Sequence, residues 1–168
     1  MQLEHFLLDQ NGWVPNNDAL PMLVYRGAVA GSGEEAARAF EALFEGHGWP
    51  PQWRDVVYDY HHYHSTAHEA LGIATGSATL TLGGPAGKRV QVKAGDALVL
   101  PVGTGHRSVE ASDDFLVVGA YPEGQEWDIC REAPSDEARE RMRGLPVPDM
   151  DPVAGADGPL TEYWNPQR

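Results

Sequence analysis

From Trp53 to Ala120 the apolar positions come in short runs broken by glycine. Leu71-Gly72-Ile73-Ala74 and Ser77 to Leu82 read as strands with Gly76 at the turn between them. Val90 and Val92 alternate with polar neighbours through Arg89 to Lys93, the pattern of a half-buried strand, and Gly83 to Gly87 form the hairpin loop before it. Ala97 to Leu100 and Phe115 to Tyr121 are continuous apolar runs, as expected of strands buried on both faces. Upstream, an extended segment would put Val56, Tyr58, Tyr60, His62 and His64 on one face and Val57, Asp59, His61 and Tyr63 on the other. Short strands at regular spacing with glycine turns predict an all-β-dominated fold, a jelly-roll β-barrel.

Residues 1–55 read as an N-terminal extension wrapped onto that barrel. Leu3 to Leu8 and Leu20 to Val29 predict strands, with Asn16-Asn17-Asp18 turning between them. Ala36, Ala37, Phe40, Leu43, Phe44 and His47 recur at helical spacing, Ser32 and Glu35 have capping-box spacing, and Gly46, Gly48 and Pro50-Pro51 stop the run. The pattern predicts one amphipathic helix over 34–46, covering an end or face of the barrel. Ser135 to Met142 predicts a short C-terminal helix with Ala138 and Met142 as its apolar face. In the proline-rich tail, Leu160, Tyr163 and Trp164 predict a segment pinned to the surface. With no internal repeat, residues 1–168 form a single domain: extension 1–55, barrel core 56–121, and C-terminal strand, helix and tail 122–168. A chain of 168 residues buries roughly 70% of its unfolded surface.

Charge narrows the partners. Twenty-five acidic against twelve basic residues give a formal charge of −13, which repels phosphate backbones and anionic membranes, so neither nucleic acid nor membrane is an expected partner. Simple solubility explains the charge; attraction of metal cations or cationic substrates is the other reading. No apolar run approaches the roughly 20 residues of a membrane span, and the first ten residues lack the features of a signal peptide. Cys130 is the only cysteine, which excludes an intrachain disulfide and favours a reducing compartment, the cytoplasm.

The candidate chemistry lies in histidines. His62 and His64, two apart on a strand, point to the same side, where one metal ion can accept both imidazoles. A nearby carboxylate and a histidine from a distant strand would complete a ligand set; Glu69 and His106 are placed for this. The bland alternative for an isolated His-x-His is core or surface histidines that meet by chance. His61 falls on the opposite face, and His5 and His47 lie in the extension, where ordinary polar contacts are expected. Lys88 after Gly83 to Gly87 fails as a phosphate loop, because Leu82 and Arg89 occupy its first glycine and its Ser/Thr positions. Gly31-Ser32-Gly33 before the helix is explained by capping, without an anion.

The spacings sharpen the signal. His62-x-His64, four residues, Glu69, six residues, Gly76 is followed downstream by Gly95, five residues, Pro101, one residue, Gly103, two residues, His106. This pair of runs resembles the two barrel motifs of the cupin superfamily, and the stretches 58–69 and 101–107 resemble the small bacterial YjlB-like cupin group over nearly the whole chain. The resemblance implies a jelly-roll barrel, a homodimer, and one divalent transition metal ion (Fe, Mn, Ni, Co, Cu or Zn) held by His62, His64, Glu69 and His106. Two positions depart from the superfamily pattern: Val56 replaces the glycine that opens the first motif, and Glu110 the asparagine that closes the second. His68 rivals Glu69 as fourth ligand; a regular strand offers only one of two neighbours, and the motif spacing favours Glu69.

An N/O donor set without thiolate suits borderline divalent metals, and affinity order does not choose among them. Glu69 is the candidate catalytic base, since a carboxylate shifts readily between coordination and proton transfer. Tyr58, Tyr60 and His68 are candidate substrate contacts, with barrel packing the competing role for the tyrosines. Three classes follow: a metal-dependent oxygenase, isomerase or decarboxylase acting on a small polar molecule; a non-catalytic small-ligand or metal-binding sensor or accessory protein; and a metal-free enzyme using a His–carboxylate pair. The four-residue ligand set favours the first over the third.

Overall fold

Residues 69–75 alternate in a way that sets the architecture. Leu71 and Ile73 enter one apolar cluster, whereas Ala70 and Ala74 enter another, so the strand is buried on both faces. The computed structural model describes residues 1–164. Its elements are β1 (Gln2–Phe6), β2 (Met22–Arg26), α1 (Glu34–Gly46), β3 (Pro51–Asp55), β4 (Glu69–Thr75), β5 (Ser77–Leu82), β6 (Lys88–Lys93), β7 (Ala97–Leu100), β8 (His106–Ala111), β9 (Leu116–Ala120), α2 (Asp136–Arg143) and α3 (Pro159–Tyr163). They form a six-stranded sheet in the order β1-β2-β7-β4-β9-β3 and a three-stranded sheet β6-β5-β8. Every strand pair is antiparallel. The larger sheet contributes Val24, Leu71, Leu98 and Val117, and the smaller Leu80, Leu82, Val90 and Val92, to one shared interior. The fold is the expected jelly-roll.

The outer face of the six-stranded sheet carries small residues, and a helix lies on them. Phe40 and Phe44 of α1 pack against Ala70, Ala74, Val99 and Val118. A Cβ added at Gly72 would sit 2.4 Å from the Phe40 ring, so glycine there permits the close approach.

Several expectations need correction. Residues 1–55 are not merely wrapped on the barrel: β2 pairs with β7 inside the main sheet, and β3 forms its opposite edge against β9. The capping box does not form. The N-cap is Gly33, at φ 78° with no side-chain cap, and its N–H donates to the Ala74 carbonyl at 2.8 Å, tying the helix to the end of β4. The C-terminal helix α2, by contrast, does start from a serine cap: Ser135 Oγ accepts from Ala138 N at 3.1 Å. The tail does more than lie on the surface. Leu160 and Trp164 are buried in the outer core, and Trp164 Nε1 donates to the Pro21 carbonyl at 2.8 Å; residues 165–168 lie outside the described residues. No helix among the described residues is long and apolar enough to cross a membrane.

Candidate metal centre

Three pieces of chain deliver the site. His106 opens β8, Glu69 opens β4, and His62 and His64 lie on the segment between β3 and β4. That segment is not the regular strand expected. It makes isolated bridges only, His62 to His106 on one side and Tyr63 to Cys130 on the other. Without a continuous ladder its alternation breaks: Val57 is buried in the barrel interior and lines the same cavity as Val56 and Tyr58. His62 and His64 nevertheless converge, because the bridge to β8 fixes the first and Asp128 fixes the second.

The loop before His106 is held by the N-terminal segment. Asn16 accepts from Gly105 N at 3.0 Å through Oδ1 and donates to the carbonyls of Asp9 (2.7 Å) and Gly83 (3.0 Å) through Nδ2. Gly103 turns there at φ 89°, where a Cβ would lie 2.7 Å from the Asn16 carbonyl. The expected turn at Asn16 thus also positions a candidate ligand.

Each imidazole is oriented by a main-chain carbonyl. His62 Nδ1 faces Tyr60 O at 3.0 Å, His106 Nδ1 faces Thr104 O at 3.0 Å, and His64 Nδ1 faces Asp128 O. A carbonyl only accepts, so each Nδ1 carries the hydrogen and each Nε2 presents a lone pair inward. One ligand atom from each of the three buried histidines lies within 4.8 Å of the others. Asp128 is itself fixed, its carboxylate accepting from Ser65 N at 2.6 Å and from the Ser65 hydroxyl.

Glu69 faces two of these rings, with Oε2 3.1 Å from His64 Nε2 and Oε1 3.2 Å from His106 Nε2. Its Oε2 accepts from the Tyr121 hydroxyl at 2.7 Å, which in turn accepts from Trp53 Nε1 at 2.9 Å. Its Oε1 is buried and has no hydrogen-bond partner among the described residues. Burial, then the charge of His106, pulls the His62 imidazole down to about 3, so it is neutral. Burial opposes ionisation of Glu69, but the charge of His64 and the contacts with His106 and His64 hold it well below the usual carboxylate range. Burial likewise opposes a proton on His64, and the Glu69 charge and hydrogen bond outweigh it, raising its proton affinity. Tyr121 is raised by burial and by the Glu69 charge and stays a phenol donor. Lone pairs facing a carboxylate require a proton or a cation between them. The three inward Nε2 atoms fit a divalent ion, and the orphaned Oε1 lies beside that of His106.

The site opens into a cavity of about 230 Å³. Trp53, Leu71 and Tyr121 wall its interior side, and Val56, Tyr58, Trp127 and Ile129 stand at its mouth. Trp127 stacks on Tyr121 with ring centroids 4.4 Å apart. Of the expected substrate contacts, only Tyr58 lines this cavity. Tyr60 stacks on Tyr58 at 4.9 Å, with the Arg131 guanidinium 3.8 Å from its ring. His68 falls in the alternation of Ala70 and Ala74: it is fully buried, accepts from Val102 N at 3.0 Å and packs on Trp164, turned from the other histidines. His5 stacks on Tyr163 at 4.1 Å and His47 Nδ1 meets Pro152 O at 2.8 Å, ordinary contacts both. The sequence pattern does not point to Tyr121, Trp53, Trp127 or Asp128. Tyr121 ends an apolar run and Asp128 has no local signal at all.

A fold of two antiparallel sheets with clustered histidines at the mouth of the interior defines a class, and residues 54–118 match the model of the cupin domain. Over 165 residues the chain is 34% identical to the uncharacterized protein YjlB of Bacillus subtilis (strain 168), covering 97% of both chains. The chain belongs to the cupins, as a YjlB-like member. Among solved structures it is similar to a DUF861 family protein from Thermotoga maritima, at 22% identity over 51% of this chain and 88% of that one, with a TM-score of 0.35. It is also similar to procruciferin, an 11S globulin from Brassica napus, at 19% identity over 77% of this chain and 26% of that one, with a TM-score of 0.38. Neither likeness is close enough for a shared function to follow.

Proposed function

We propose that this cupin is a metal-dependent enzyme acting on a small molecule, with His62, His64, His106 and Glu69 holding one divalent transition ion (Fe, Mn, Ni, Co, Cu or Zn). The observation that carries the reading is the donor arrangement: three Nδ1–H groups committed to main-chain carbonyls, three Nε2 atoms turned inward, and an orphaned Glu69 Oε1 beside them. Such an ion, when bound, polarises a substrate oxygen, acidifies a bound water or activates dioxygen. Oxygenase, isomerase and decarboxylase chemistry all fall within that range.

The chain's own residues do the rest. Tyr121 holds Glu69 Oε2 through its hydroxyl, leaving Oε1 as the atom that would hold the ion and that, when released from it, would accept a proton from a substrate in the cavity. Trp53 and Leu71 exclude water from that oxygen. Tyr58, at the mouth, contacts the outer part of the bound molecule. The homodimer expected of the superfamily finds support in β1, an edge strand of the six-stranded sheet; light scattering measures it. The functional reading is tested by screening protein reconstituted with each metal for turnover of small hydroxylated compounds. Turnover that disappears in His106→Ala and Glu69→Gln supports it, and turnover that survives both substitutions contradicts it.

A further inference from the structure

Among the described residues, four of the seven large hydrophobic side chains exposed on the molecule are gathered at one place. Val56, Tyr58, Trp127 and Ile129, each between 39% and 50% exposed, all stand at the mouth of the metal-site cavity. Deeper in, Trp53 and Tyr121 continue the aromatic wall. An apolar concentration of this kind marks a surface that something covers. Trp127 is held flat by its stack on Tyr121, at an interplanar angle of 4°, and so presents a fixed ring. Among the described residues the walls contain no lysine or arginine, and their acidic members are Asp55 and Glu69. A phosphate or second carboxylate would find no such cation there, on a protein that already carries a formal charge of −13. At about 230 Å³ the cavity is smaller than the roughly 300–1,000 Å³ of sites for drug-sized ligands, and so accommodates one ring.

We infer that the substrate is a single-ring aromatic compound with an uncharged body, its polar end toward His62, His64 and His106 and its ring against Trp127 and Tyr58. The inference rests on the metal-site reading for the polar end and on the aromatic wall alone for the body. It narrows the expected small polar molecule to a planar one and sets aside sugar phosphates.

The test is binding of p-cresol and of ribose 5-phosphate, followed by calorimetry, to wild-type protein, Trp127→Ala and Trp127→Phe, with metal content and oligomeric state measured on the same samples. Saturable p-cresol binding is expected, weakened about tenfold in Trp127→Ala, the loss of one stacking face, and largely kept in Trp127→Phe. Ribose 5-phosphate is expected not to saturate. Ribose 5-phosphate binding as tightly as p-cresol would overturn the inference, as would p-cresol affinity unchanged in Trp127→Ala. A Trp127→Ala variant that turned a dimer into a monomer, with no p-cresol binding to wild type, would assign the rim to a second copy and also overturn it. Metal-loaded protein that ignores p-cresol sinks this inference and leaves the metal reading standing; p-cresol binding by protein that takes up no metal does the reverse.

Discussion

Tyr121 determines how Glu69 is presented, although the two are 52 residues apart in sequence. Its hydroxyl gives its hydrogen to Glu69 Oε2 and a lone pair to Trp53 Nε1, so one oxygen of the carboxylate is fixed and the other is free. Tyr121→Phe removes a partner from both neighbours. We expect a loss of about 1–3 kcal/mol in urea unfolding, together with metal affinity weaker by about tenfold or more in competition with a chelator. Wild-type metal affinity in that variant would show that Tyr121 does not orient Glu69. At this scale the histidine cluster is legible because its spacing carries the information. The separation of Glu69 from His68 is legible as well, since strand alternation sends one toward the histidines and the other to Trp164. Tyr121, Trp53 and Trp127 are not, because an aromatic residue reads as core until a distant partner gives it another role.

Among the elements, α1 and β4 approach closely at Gly72, against the Phe40 ring. Gly72→Ala places a methyl group against the Phe40 ring, and we expect it to cost about 1–3 kcal/mol by overpacking. Most of that cost should be recovered in a Phe40→Leu background, which a double-mutant cycle measures; no coupling would mean the helix does not rest on this position. The tail is pinned by a buried carboxylate. Asp151 Oδ1 accepts from Val153 N (2.7 Å) and Ala154 N (2.9 Å), and Oδ2 from Leu160 N (2.9 Å) and the Tyr25 hydroxyl. Asp151→Ala leaves all of these donors unpaired, so a loss of about 3 kcal/mol or more is expected, with amide protection falling first over 152–164. Unchanged exchange there would contradict the pinning role. β4, β5, β6, β7 and β9 and both longer helices are legible from periodicity, whereas β8, whose His-Arg-Ser-Val-Glu-Ala has a single large apolar residue, is not. The helix cap is not, because Ser32 and Glu35 have the right spacing while Gly33, tied to Ala74, takes the cap. The irregular 56–64 segment also escapes periodicity: its residues alternate, but only two of them find isolated bridge partners.

At the level of the whole molecule, the donor cluster joins parts of the fold that share little else. β8 belongs to the smaller sheet and β4 to the larger, and the 62–64 segment lies in the connection from β3 to β4. An ion bound there stabilises only the folded state, by about 2.7 kcal/mol at a hundredfold excess over its dissociation constant. Thermal unfolding should therefore shift upward with the bound metal and downward with a chelator. A midpoint indifferent to both would argue against a structural link through the site. The class of fold is legible because two motifs of fixed spacing mark both sides of the barrel mouth. The integration of residues 1–55 into the main sheet is not, since β2 pairs with β7, far along the chain, and nothing local announces it. The most direct test of the account is metal content by mass spectrometry on tag-free wild-type protein beside a His62→Ala/His64→Ala variant. One equivalent of a divalent transition metal is expected in the first and none in the second. Folded wild-type protein that stayed empty after reconstitution with each candidate metal would contradict it.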